Sequence, residues 1–174
     1  MIDPATVVEA TTKFLQDHPN LMPIVMFGLA FGESLAIVSF LVPATVLMLA
    51  IGALVEASGL SLWPVWLAAV VGASLGDAVS YWLGYHYKDR ARTFWPLSRR
   101  PDLVARAEDF FTRFGVWGVA IGRFFGPLRA VVPLVAGILA MRHVPFQVAN
   151  VGSAMVWSFA MLAPGAAPTK LLGF

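Results

Sequence analysis

The chain has 174 residues, of which 59% are hydrophobic and 13% charged, with a net charge of +2. A soluble domain carries about 25% charged residues, so the composition argues for lipid as the surrounding medium and against a nucleic-acid partner. Cysteine is absent, which excludes disulfides and thiolate metal sites.

The length fits one domain over 1–174. The first residues are acidic, with Asp3, Glu9 and Asp17 against Lys13. A secretory leader starts with positive charge, so no cleaved leader is expected. Residues 4–18 read as a short interfacial helix within a leading segment 1–20, with Val7, Val8, Phe14 and Leu15 partly on one side. Pro19 and Pro23 end it.

Four apolar blocks follow, at roughly 21–55, 59–87, 114–141 and 143–169. The second and fourth each suit one tilted span, which needs about 20 residues. The first is long for one span and holds Glu33 and Pro43; the third is interrupted by Gly126-Pro127 and Pro133. Trp63 and Trp66 at one end of the second block, and Tyr81, Trp82, Tyr85 and Tyr87 at the other, suit the two headgroup belts. Residues 88–113 are the long polar stretch, with seven Lys or Arg against four acids. The positive-inside rule makes this loop cytoplasmic. Within it, 102–114 reads as an amphipathic helix whose Leu103, Ala107, Phe110, Phe111 and Phe114 face the membrane.

The two halves superpose with an offset of 90. Gly28-Leu-Ala-Phe-Gly-Glu33 falls on Gly118-Val-Ala-Ile-Gly-Arg123, and Pro43 falls on Pro133. Seven of 24 positions are identical without a gap. With a shorter connection, Val71-Gly72 then falls on Val151-Gly152. Each half (21–87 and 114–169) is thus a broken apolar element followed by a span. If the broken element is re-entrant, each half crosses once, and the halves are inverted. Inverted repeats with Gly- or Pro-interrupted segments point to a transport site near the midplane. The expected fold is therefore an all-α integral membrane protein. It contains two re-entrant broken helices, spanning helices and amphipathic surface helices, with turns at Pro43, Gly126, Pro127 and Pro133.

Four ionisable residues lie inside apolar blocks: Glu33, Asp77, Arg123 and Arg129. Each costs at least ~2.5–3.5 kcal/mol in lipid, which makes such residues functional candidates unless they form a structural ion pair. Gly122-Arg-Phe-Phe-Gly-Pro-Leu-Arg129 is the most informative segment. Its Gly-Pro break lets two arginines converge that a straight helix would separate. Arginine offers the planar paired donors that suit phosphate, and a helix start after Pro127 adds N–H groups. Glu33 stands at the repeat position of Arg123 and is the candidate for proton exchange or gating; Asp77 is placed to orient an arginine or help gate. Enzyme readings fare worse. His18, His86 and His143 have no metal-ligand spacing, and no cofactor or metal is expected. Ser74-Leu-Gly-Asp77 lacks the first glycine of an intramembrane aspartyl protease motif.

The chain resembles the DedA family, related to the SNARE-associated, or VTT-domain, lipid scramblases. The resemblance rests on Gly32-Glu33 with Pro43 and Gly52, on Gly76-Asp-Ala-Val-Ser-Tyr-Trp-Leu-Gly84, on the arginine segment followed by Pro133-Leu-Val-Ala-Gly137, and on Asn150, Gly152 and Trp157. It implies re-entrant segments facing each other from opposite sides of a multi-pass protein of the bacterial inner membrane. It also implies a role in returning undecaprenyl phosphate to the cytoplasmic leaflet, with the acid at 33 and the arginines at 123 and 129 essential. Some members carry a second acid after the first proline; here that stretch is Pro43-Ala-Thr45. Many members also extend further after the position of Lys170. The leading expectation is a polyprenyl-phosphate transporter, with Arg123 and Arg129 holding the phosphate. The alternatives are a phospholipid scramblase, a proton/cation antiporter and an assembly partner. Glycine faces at Gly72, Gly76, Gly118 and Gly122 would permit a homo-oligomer, or contacts within one subunit.

Overall fold

A computed structural model of the chain describes residues 4–35, 44–88, 90, 97–99, 101–125 and 128–166. Among these, every regular element is helical. The eight α-helices are α1 (Pro4–Asp17), α2 (Met22–Ser34), α3 (Ala44–Ala57), α4 (Leu62–Tyr87), α5 (Pro101–Phe114), α6 (Trp117–Gly122), α7 (Leu128–Ile138) and α8 (His143–Ala166).

Length separates them into two kinds. With 26 and 24 residues, α4 and α8 run about 39 and 36 Å at 1.5 Å per residue. Both are long and apolar enough to cross a bilayer core of about 30 Å. α2 and α3 have 13 and 14 residues, and α6 and α7 have 6 and 11. None of these four reaches about 30 Å alone. Each long or interrupted apolar block is therefore a pair of short helices.

The spans pack antiparallel. The Trp66 indole N–H donates to the Met155 carbonyl, Asn150 Nδ2 donates to the Ser74 carbonyl, and the Tyr81 ring stacks on Phe146. α2 runs parallel to α4, with Phe27 beside Gly72, Phe31 beside Gly76 and Ser34 beside Ser80. α7 crosses α4 where Gly84 meets the Leu134 carbonyl and Gly137 meets the Tyr81 carbonyl. α3 crosses α8 in the same manner, at Gly52 against the Leu162 carbonyl and Gly165 against the Leu49 carbonyl. These glycines let backbones touch, which is how helices associate where lipid removes the hydrophobic drive. Gly72 and Gly76 thus serve contacts within the chain, as do Gly118 against Phe111 and Gly122 against Val132.

The outward surface is apolar. Leu67, Val71, Leu75, Val79 and Trp82 are exposed along one face of α4, as are Val144, Val148, Val156 and Phe159 on α8. A stripe of this extent is untenable in water and suits lipid. The inward face of α4 carries Gly72, Gly76, Asp77 and Ser80 instead, all buried. Polarity is thus turned inward.

The halves share a packing pattern. α1 lies on α3 as α5 lies on α7, and α2 lies on α4 as α6 lies on α8. α3 and α7 also end alike. Gly59 and Ala140 take positive φ (66° and 52°). The amides of 59 and 60 bond to the carbonyls of 56 and 55, and those of 140 and 141 to the carbonyls of 137 and 136. Both are Schellman closures, in which a left-handed residue returns two N–H groups to the last turn.

Two sequence expectations need correction. Pro133 is not at a turn: it lies inside α7, where buried neighbours hold the helix although a proline withholds the N–H that the Arg129 carbonyl would accept. The amphipathic helix of the basic stretch faces protein rather than membrane. Its Val104, Ala107 and Phe111 join the core with Val131 and Val135, because α7 offers an apolar face there. Phe114 is exposed. All of 101–113 lies in α5, so the helix expected at 102–114 is present. The surface helix expected at 4–18 is present as α1, with Leu15 fully buried. Pro43, Gly126 and Pro127, expected at turns, lie outside the described residues.

Candidate functional site

Sequence spacing leaves Glu33, Asp77, Arg123 and Arg129 on four different elements. The fold brings them together. Glu33 closes the last turn of α2, Arg123 caps α6, Arg129 is the second residue of α7, and Asp77 lies midway along α4. Short helices that stop inside the apolar body put three of these charges at their ends, and the middle of a span supplies Asp77.

Two ion pairs result. Arg123 Nη2 donates to Asp77 Oδ2. Arg129 Nη1 lies 2.8 Å from Glu33 Oε1. Two acids and two bases cancel in formal charge. Pairing is what makes their burial tolerable, since removing either partner would strand the other in a low-dielectric interior.

The two arginines are held differently. Arg123 Nη2 also donates to Asn150 Oδ1 at 2.7 Å, and its Nε donates to Ser153 Oγ at 3.1 Å. Ser153 Oγ in turn donates to the Asn150 carbonyl at 3.0 Å, and Asn150 Nδ2 to the Ser74 carbonyl at 3.0 Å. Arg123 is thus fixed by α4 and α8 together, and its side chain is 5% exposed. Arg129 has the Glu33 contact and the face of Trp157, 4.6 Å from ring centroid to Cζ, and its side chain is 16% exposed. Trp157 also faces Arg123 at 5.9 Å, so one indole lies under both guanidinium groups. Such contacts gain strength out of water, to about 2 kcal/mol.

Chemically, the cluster can hold an oxyanion at a guanidinium edge, provided a carboxylate yields. Arg129, with fewer bonds among the described residues and more exposure, is the group better able to exchange partners. Arg123 is anchored, and Asp77 does what a structural ion pair does: it orients that arginine. Reading the sequence for charge finds all four ionic groups. Asn150 and Trp157 come only through family resemblance. Ser153 and Ser34 were missed. Ser153 has one usable signal, its (i, i+3) spacing from Asn150, which puts both on one helical face. A buried serine in an apolar helix is otherwise ordinary.

Comparison with known proteins bears on this geometry. The VTT domain family matches residues 42–167. Inner membrane protein YabI of Escherichia coli is 36% identical over 146 residues, covering 84% of this chain and 57% of YabI. An uncharacterized membrane protein of Mycobacterium tuberculosis is 34% identical over 151 residues, 83% of this chain and 68% of the relative. Undecaprenyl phosphate transporter A of Staphylococcus aureus is 28% identical over 133 residues, 72% of this chain and 64% of that protein. The chain therefore spans 57% of YabI and 60% of a Buchnera membrane protein, well short of their full lengths. No solved structure matches it.

Proposed function

Because the chain belongs to the VTT-domain, or DedA, family of membrane proteins, we propose that it carries a lipid phosphate of the undecaprenyl phosphate kind across the bacterial inner membrane. One observation carries this reading: two guanidinium groups, each with its carboxylate, one buried and one half-buried, meet where short helices end beside two spans. The name of the staphylococcal relative supports the choice of lipid. The role is transport, not chemistry on the substrate.

The phosphate and Glu33 compete for Arg129. Lipid phosphate arriving at Arg129 displaces the Glu33 carboxylate from that arginine, and a proton taken up at Glu33 offsets the lost ion pair. Binding of phosphate and of a proton at Glu33 are therefore linked, each favouring the other. Arg123, held by Asp77, Asn150 and Ser153, keeps a second guanidinium fixed beside the site. Leaving the proton and the lipid on the cytoplasmic side completes a cycle, and Glu33 supplies it without a second acid at Thr45.

The paired short helices are re-entrant hairpins. α2 enters from the side where α4 begins and α3 returns there; α6 and α7 do the same from the side where α4 ends. The basic stretch 88–113 then lies in the cytoplasm, and the described inner ends of α2, α6 and α7 meet at the ion pairs.

Reconstituted vesicles test the transport reading. Wild-type protein is expected to move polyprenyl phosphate and to leave phosphatidylcholine in place, and Arg129→Ala to lose at least 90% of that movement. Equal movement of both lipids would mean scrambling. Cation flux without lipid movement would mean an antiporter. Undiminished transport by Arg129→Ala would refute the assignment.

A further inference from the structure

The ion pairs answer for a headgroup but not for its tail. Beside them, α6 and α8 border a cleft of about 700 Å³. Trp117, Ile121, Phe124 and Phe125 form one wall, and Val148 and Val156 the other. Gly152 and Ser153 lie between. Ser153 brings the one hydroxyl among the described lining residues, and that hydroxyl accepts from Arg123 Nε. The cleft is thus apolar along its length and touches the charged cluster at one point, the polarity of a long-chain anion.

The repeat shows why it is open. Gly152 stands where Gly72 stands in the first half. A Cβ added to Gly72 would collide with the Phe27 carbonyl, because α2 lies against α4 there. A Cβ added to Gly152 meets nothing within 4 Å. α2 has 13 residues and α6 has 6, so the shorter helix leaves uncovered the stretch of α8 that corresponds to the covered stretch of α4.

We propose that this cleft holds the first isoprene units of the transported lipid while its phosphate is at the arginines. The proposal rests on the transport reading above. A volume of this size falls within the ~300–1,000 Å³ typical of small-molecule sites, so part of the tail is enclosed and the rest stays in lipid. The tail moves from lipid to protein, not from water, and gains no hydrophobic driving force. What the cleft supplies is shape: aromatic and β-branched walls suit a methyl-branched, unsaturated chain over a straight acyl chain.

Photolabelling tests this directly. Farnesyl phosphate with a diazirine on its tail and phosphatidylcholine with a diazirine on an acyl chain are each incorporated into vesicles holding the full chain. After irradiation, labelled peptides are mapped. The farnesyl label is expected within 117–125 and 144–156, and to fall at least fivefold in Gly152→Trp. That variant fills open space and should fold. Gly28→Trp, also at an open position, is the control expected to keep the label. The phosphatidylcholine label is expected to spread along the outward faces of α4 and α8. A farnesyl label spread in the same way, a phosphatidylcholine label equally concentrated in the cleft, or a farnesyl label unchanged in Gly152→Trp would each overturn the proposal. Labelling is read without transport. Cleft labelling in a protein that moves no lipid would sink the transport reading alone, and even labelling in one that does would sink the cleft alone.

Discussion

Asp77 and Glu33 both face an arginine, yet they differ in consequence. Asp77→Ala strands Arg123 among α4 and α8, where breaking a buried pair costs about 3–5 kcal/mol. A clear fall in the midpoint of thermal unfolding in detergent is expected. Replacing the whole pair, as Asp77→Leu with Arg123→Met, should restore most of that stability, because well-packed apolar residues often match a buried ion pair. Transport should stay lost. If the double variant is no more stable than Asp77→Ala, the pair is not the unit proposed here. Glu33→Gln leaves Arg129 its Trp157 face and greater exposure, so a smaller loss of stability is expected with a near-complete loss of transport. The four ionic groups were legible because a charge inside an apolar block is conspicuous at any register. Which acid meets which base was not, since that depends on where the short helices stop. Ser153 was hidden because its hydroxyl differs from any other serine only by facing Arg123.

Between helices, the contacts that matter are backbone against backbone. Gly84→Ala would drive a methyl into the Leu134 carbonyl, and Gly137→Ala one into the Tyr81 carbonyl. Overpacking of this kind costs about 1–3 kcal/mol, more than the gain of up to ~1 kcal/mol from replacing glycine inside a helix. Gly28→Ala and Gly152→Ala meet open space and should be neutral or slightly stabilising. Unfolding midpoints of the four variants check the contrast, and equal midpoints would contradict the packing. Element boundaries were legible wherever polarity or proline changed sharply: the two spans match the apolar blocks closely, and the first and third blocks do break. The error over the face of α5 has a physical cause. An amphipathic pattern states that one face is apolar, not what covers it, and α7 covers it here. Pro133 misled for a related reason, because a proline signals a turn only when tertiary packing does not hold the helix around it.

At the scale of the molecule, the inverted arrangement proposed above fixes which side of the membrane each pair of short helices faces. Since the chain has no cysteine, single replacements give a clean readout of sidedness. Asn20→Cys and Ser58→Cys, at the outer ends of the first hairpin, should react with an impermeant maleimide from the periplasmic side. Val116→Cys and Arg142→Cys should react only after the cytoplasmic face is opened. One hairpin whose two ends label from opposite sides would show that it crosses the bilayer.

Equilibrium binding of farnesyl phosphate to the purified protein in nanodiscs, at fixed pH, tests most directly whether phosphate and Glu33 compete for Arg129. Wild type should bind, Arg129→Ala should lose binding, and Glu33→Gln, with the competitor removed, should bind about tenfold more tightly, or ~1.4 kcal/mol, while transporting less. Binding by Arg129→Ala equal to that of wild type, or weaker binding by Glu33→Gln, would contradict the exchange of partners at that arginine.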